Sequence, residues 1–174
     1  GAKSIKYDMP VSSAQVKSSL LLAGLYAQGQ TRITDPGKSR DHTENMLLQF
    51  GVPLERDTQS VQIHGPVQEF KAQNITVPGD FSSAAFFIIA ALIHPDAQVT
   101  IKNVGINPRR AALLEVLKKM GANIEMKDQS QNSAVKNQEP IADLVVRSSR
   151  LKGIELSGEI ISQIIDEIPI FCVA

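Results

Sequence analysis

Ser-Ser-Ala-Gln-Val-Lys-Ser-Ser-Leu-Leu-Leu-Ala-Gly-Leu-Tyr-Ala, residues 12–27, is a short polar opening that runs into an apolar stretch. Ser-Ser-Ala recurs at 82–84 and again opens an apolar run, 85–93. The segments downstream of each opening recur too. After the first come a Thr-rich strand candidate at 31–34, an amphipathic segment at 40–50 ending at Gly51, and a strand candidate at 52–55. After the second come a strand candidate at 99–102, a helix at 108–120 ending at Gly121, and a strand at 123–126. Ala14 and Ala84 are 70 residues apart, as are Gly51 and Gly121, so the chain reads as two copies of one unit. A third opening, Ile165-Asp166-Glu167-Ile168-Pro169, leads into a further apolar stretch.

Each copy reads as β-α-β-α-β-β, which places the chain in the α/β class. Residues 4–7 or 74–77 supply the first strand, and 61–64 or 144–147 the last. Gly51 and Gly121 suit helix ends, where glycine takes the left-handed cap conformation cheaply. Pro108 suits the first turn of its helix. The first helix of each copy is apolar nearly all round and is expected to be buried. The polar stretch 128–140, rich in Gln, Asn and Ser, reads as a surface hairpin loop or a disordered insertion. A boundary is expected near 76–78, where Val-Pro-Gly could act as a hinge.

Composition narrows the function classes. With 43% hydrophobic residues, a core is feasible in a chain of 174 residues. Eighteen basic and eighteen acidic residues leave no general electrostatic footprint for nucleic acid or an anionic membrane. Any phosphate must then be held by a local site. Cys172 is the single cysteine, which excludes an internal disulfide and fits a reducing, cytoplasmic compartment. The longest apolar runs, such as 84–93, are about half of what a membrane span requires. There is no signal-peptide pattern at the N-terminus. His42, His64 and His94 lack metal-ligand spacing.

Three constellations could carry chemistry. A serine at the N-cap of a helix, as at Ser13, brings a hydroxyl and free backbone amides to the positive helix end, where phosphate binds without a basic patch. Gln15, in the first turn, can hydrogen-bond a neutral hydroxyl. Ordinary helix capping explains the same residues. In Ser39-Arg40-Asp41-His42-Thr43-Glu44, Arg40 could grip a phosphate through two parallel hydrogen bonds. Ser39 or Asp41 could instead cap the second helix, with His42 or Glu44 on its surface. In Asp166-Glu167-Ile168-Pro169 a carboxylate could act as a base or orient a hydroxyl, or simply favour a helix N-terminus.

Residues 13–25, 39–44, 78–87 (Pro-Gly-Asp-Phe-Ser-Ser-Ala-Ala-Phe-Phe) and 166–169 together resemble bacterial 5-enolpyruvylshikimate-3-phosphate synthases, in order and spacing, over essentially the whole chain. The resemblance implies the enolpyruvyl transferase fold, an inside-out α/β barrel of repeated β-α-β-α-β-β units in two globules, here incomplete. Residues 1–76 would be the closing unit of the first globule. Residues 77–174 would be the opening part of the second, one full unit and the start of the next.

The implied reaction transfers enolpyruvyl from phosphoenolpyruvate to the 5-hydroxyl of shikimate 3-phosphate, with no metal or organic cofactor. By position Ser13 resembles a ligand of the 3-phosphate, supplemented by the Ala14 amide, and Gln15 a ligand of the ring hydroxyls. Ser39 and Arg40 resemble residues that approach the same phosphate. His42 stands where some relatives place a tyrosine over the ring. Asp166 matches the carboxylate that accepts the proton of the reacting hydroxyl. The family's N-terminal substrate-binding motifs and its later glutamate and arginines are missing. The chain alone is therefore expected not to turn over. The parent is expected to be monomeric, while this portion could self-associate through uncovered surfaces. A relative acting on UDP-N-acetylglucosamine and a non-catalytic structural fragment are the competing readings.

Overall fold

The computed structural model describes residues 1–37, 39–128 and 138–174. Most of the loop expected at 128–140 thus lies outside the described residues. Two compact units are present, one made of Gly1–Ile75 and the other beginning at Thr76.

In the first unit, β1 (Lys6–Asp8), α1 (Ala14–Gly24), β2 (Gly29–Thr34), α2 (His42–Gln49), β3 (Leu54–Arg56) and β4 (Ser60–Gly65) are arranged in that order along the chain. The sheet order is β1-β2-β4-β3, with β1 parallel to β2 and the other pairs antiparallel. Thr31 and Ile33 alternate inward along β2, and Ile63 and Val61 face the same core from β4. Leu21 and Leu25 from the α1 segment and Leu47 from α2 close that core. The helix lies so close to the sheet that a Cβ on Gly24 would come within 2.7 Å of Ile63 Cγ2.

The expectation that α1 is buried all round is corrected. Lys17, Leu21 and Gly24, one stripe at i, i+4, i+7, are buried, whereas Val16 and Leu22 on the other side are exposed. One sheet covers one face of a helix, and apolarity alone supplies no second layer.

The second unit repeats the plan. It holds α3 (Phe81–Ile93), β5 (Gln98–Gly105), α4 (Ala112–Lys119), β6 (Asn123–Asp128) and β7 (Ile141–Arg147). The antiparallel sheet has the order β5-β7-β6. Its central strand β7 buries Leu144, Val145 and Val146 in succession, as a strand paired on both edges can. Ile88, Ile89 and Leu92 of α3 pack with Leu113 and Leu117 of α4 against it. Here too the outer face of the first helix is open, with Phe86, Phe87 and Ile93 exposed.

The strand expected at 74–77 does not form. Those residues stay exposed, and only Gly79 makes a parallel bridge, to Val104. Gly79 thereby takes the place beside β5 that β1 holds beside β2. Pro78, with no amide hydrogen, cannot extend the ladder backwards.

Both helix ends marked by glycine are as expected. Gly51 and Gly121 have φ of +80° and +96°. Val52 N donates to Leu47 O and Ala122 N to Leu117 O, each at 3.0 Å, the same left-handed closure in both copies. Pro108 differs from expectation, because α4 begins only at Ala112. Asn107 builds a turn first: its side-chain oxygen accepts from Arg109 N at 2.9 Å, and its carbonyl accepts from Arg110 N and Ala111 N at 2.8 Å. The third opening forms short pieces, α5 (Glu159–Gln163), a 3₁₀ turn (Ile165–Glu167) and α6 (Ile168–Phe171), anchored by buried Ile164.

Candidate functional site

Ser13 sits at the N-cap of α1 in extended conformation, and its Oγ accepts from Val16 N at 3.3 Å. A helix leaves its first amides without intrahelical acceptors, so those of Ala14 and Gln15 remain at the positive end. Beside them opens a pocket of about 340 Å³ lined by Ala14, Gln15, Ser18, Arg40, His42 and Thr43. Ser18 Oγ and Thr43 Oγ1 meet at 2.7 Å and tie the wall of α1 to the first turn of α2. Arg40 is the only permanent charge among the lining residues. It is half-buried, and no hydrogen bond or ion pair engages its guanidinium among the described residues.

Four of the expected residues, Ala14, Gln15, Arg40 and His42, thus come together around one cavity. Ser13 and Ser39 are not among its lining residues. Ser39 is held at each of its polar atoms: N and Oγ donate to Asp35 Oδ2 at 2.7 and 2.6 Å, and its carbonyl accepts from Lys17 Nζ at 3.1 Å. The single hydroxyl proton of Ser39 therefore points at Asp35. Burial would raise the Asp35 pKa, but hydrogen bonds from the Ser39 and Ser12 hydroxyls and the Ser39 amide, with the charge of Lys17, hold the carboxyl below its usual 3.8.

Lys17, Asp35 and Glu44 form a buried ionic group that sequence reasoning missed. Lys17 Nζ lies 3.2 Å from Asp35 and 2.8 Å from Glu44, with the side chains of all three no more than 6% exposed. Glu44, expected on the helix surface, is corrected to a core position, because the Lys17 ammonium on the facing helix neutralises it there. One signal was available: Lys17 shares the buried stripe with Leu21 and Gly24, and a charge on such a stripe needs a partner.

Asp166 belongs to the second unit. There Arg110 gathers acids around it: Glu167 at 2.9 Å, Asp166 at 3.4 Å and Asp80 at 3.8 Å. Its guanidinium also donates to Ser82 Oγ, which donates to Glu167. Glu167 is almost fully buried, whereas the Asp166 side chain is half exposed. Asp80 caps α3, accepting from Ser83 N and Oγ, both at 2.8 Å. Burial raises its pKa, but the Ser83 hydroxyl and amide, the Ser82 amide and Arg110 outweigh this and lower it.

Arg110 and Arg40 are 70 residues apart, the repeat offset, and so are Ser82 and Ser12. The same position before the second helix thus carries an arginine in both units. In the second it binds a carboxylate; in the first it faces an open pocket.

The family description EPSP synthase (3-phosphoshikimate 1-carboxyvinyltransferase) matches residues 1–174. The chain belongs to the EPSP synthase family. It is 52% identical over 170 residues to the 3-phosphoshikimate 1-carboxyvinyltransferase of Geobacter sulfurreducens, covering 98% of this chain and 38% of that protein. Identity to the Bacillus pumilus protein of the same name is 54% over 168 residues, covering 97% and 38%. The chain therefore spans well under half the length of these curated relatives. An EPSP synthase structure from Acinetobacter baumannii superposes with a TM-score of 0.84 at 43% identity, over 96% of this chain and 37% of that one. An enolpyruvyl transferase from Streptomyces tendae, at 19% identity, 80% coverage of this chain and 32% of its own, shares the fold with a TM-score of 0.59. The α/β repeat is thus that of the EPSP synthase and enolpyruvyl transferase fold. No helix among the described residues is long and apolar enough to cross a membrane.

Proposed function

We propose that this chain is part of an EPSP synthase and carries one wall of its acceptor site. In this reading, enolpyruvyl passes from phosphoenolpyruvate to the 5-hydroxyl of shikimate 3-phosphate, and phosphate leaves. The observation that carries the proposal is the pocket where an uncommitted Arg40 faces the N-terminus of α1 beside Gln15. A guanidinium and a helix N-terminus together supply parallel donors and positive potential for a phosphate, in a chain of zero net charge. The binding of Glu167 by Arg110, its repeat equivalent, supports an anion role for this position.

Within the site, Arg40 and the Ala14 amide take the 3-phosphate, with Ser13 at the same helix end. Gln15 binds ring hydroxyls and His42 flanks the ring. Ser39 acts through its anchorage of the Arg40 loop. Asp166, whose carboxylate lies 3.4 Å from Arg110, is the residue assigned to accept the proton of the 5-hydroxyl. Residues 1–76 close one globule and 77–174 open the other, and the cytoplasm is the compartment. One arginine beside one helix N-terminus suits a single phosphate group, which favours a phosphorylated ring over a nucleotide sugar.

The test is an amide NMR titration of the chain with shikimate 3-phosphate, with UDP-N-acetylglucosamine as control. Selective shifts at Ala14, Gln15 and Arg40 with the first ligand alone are expected. Equal shifts with both, or shifts confined to residues away from the pocket, would refute the acceptor assignment. Product formation from both substrates by the purified chain would refute its expected inactivity.

A further inference from the structure

Lysine is almost never fully buried, because its ammonium is costly to remove from water unless every donor is satisfied. Lys17 is 2% exposed, and its three donors go to three different places. One reaches Asp35 Oδ2 just beyond β2 at 3.2 Å, one the Ser39 carbonyl at 3.1 Å, and one Glu44 Oε1 in α2 at 2.8 Å. The ammonium thereby joins α1 to Asp35 and Glu44, on either side of Arg40 in the sequence, and to Ser39 directly before it. Asp35 in turn holds Ser39, whose N and Oγ both donate to its Oδ2. Arg40 comes directly after Ser39, so the direction in which its side chain leaves the backbone is set by a neighbour pinned at all its polar atoms.

We propose that Lys17 is a positioning residue for the acceptor pocket, holding Asp35 and Ser39 in place so that Arg40 is presented to the anion. The proposal rests on the reading of this pocket as a phosphate site. Lys17 touches no pocket surface itself; it acts through Ser39 and Asp35. Pre-organisation of this kind reduces the ordering cost at binding, so its loss weakens affinity even while the fold persists.

The experiment compares Lys17→Met, which keeps length and removes charge, with Leu21→Ala, which disturbs the same buried stripe without touching the ionic group. Two readouts are taken on the whole chain: amide exchange at Ser39 relative to Ile33 and Ile63, and the Kd for shikimate 3-phosphate. In Lys17→Met, Ser39 exchange is expected to accelerate at least tenfold more than that of Ile33 and Ile63, and Kd to rise at least tenfold. In Leu21→Ala all three amides accelerate together, and Kd measured on folded protein stays within twofold. The proposal is overturned if Ser39 tracks the sheet amides in Lys17→Met, or if Kd is unchanged there. Should Lys17→Met not fold, Lys17→Met combined with Glu44→Leu, which strands one buried carboxylate fewer and keeps Asp35 beside Ser39, is held to the same two criteria. Absence of binding by the unaltered chain sinks the acceptor reading alone, since Ser39 exchange needs no ligand and still decides whether Lys17 holds Ser39 in place.

Discussion

Replacing Arg110 by methionine would expose how much the second unit depends on its ionic cluster. Glu167 has a side chain 1% exposed, and Arg110, itself 15% exposed, is its only cationic partner among the described residues. Removing one member of a buried pair strands the other charge, at about 3–5 kcal/mol. Two features lower that figure. Ser82 Oγ still donates to Glu167, and part of the guanidinium already reaches water. The ion pair to half-exposed Asp166 adds at most about 1 kcal/mol. We therefore expect Arg110→Met to cost about 2–4 kcal/mol. Arg110→Met combined with Glu167→Leu should recover most of the loss, since an apolar pair of similar volume often equals a buried ion pair. Native-state amide exchange at Leu92, Leu113 and Leu144 reads the unit directly, and about 2–4 kcal/mol corresponds to roughly 30- to 900-fold faster exchange. A loss below about 0.5 kcal/mol, or a double variant no better than the single, would refute the argument by showing that Glu167 is not stranded.

Four further outcomes are expected. The Asp57 carboxyl accepts from the amide of Gln59 first, then from the hydroxyl and amide of Ser60, and is lowered to about 2; carboxyl NMR should find its midpoint near there, and one at 3.5 or above would contradict this. Because Asp35, Asp57 and Asp80 all have depressed values, their contribution is complete above the usual 3.8 and disappears as the pH falls through the lowered values; urea midpoints should be flat from pH 7 to 5 and fall below about 4. Gly121→Ala, at φ +96°, should cost about 1 kcal/mol by urea unfolding, and a neutral effect would deny the left-handed cap. Phe86→Ser with Phe87→Ser, both on exposed positions of α3, should change stability by less than about 0.5 kcal/mol and suppress concentration-dependent association in sedimentation.

Much of the fold was legible because two copies of one pattern check each other. The helix-ending glycines and the order of strands and helices came out as read. The start of α4 did not, because the Asn107 turn takes up the amides of Arg109, Arg110 and Ala111 before the helix begins. Nor did the strand at 74–77, because strand formation depends on a partner edge, which no local pattern reports. In the candidate site, Gln15 and Arg40 were readable from residue type and position. Lys17, Asp35 and Glu44 were not, since the two acids lie 18 and 27 residues from the lysine along the chain.

The sequence by itself determined the repeat, the α/β class, the positions of the glycine caps and the family, because these rest on periodicity, local backbone preference and the order of short motifs. Only the tertiary structure decided which charges are buried together and which arginine is left open to a ligand. Arg40 and Arg110 occupy one repeat position, yet Glu167 folds back onto the second and nothing equivalent engages the first among the described residues. That difference is a matter of long-range pairing in a medium that penalises unpaired charge, and pairing at a distance is a property of the folded chain.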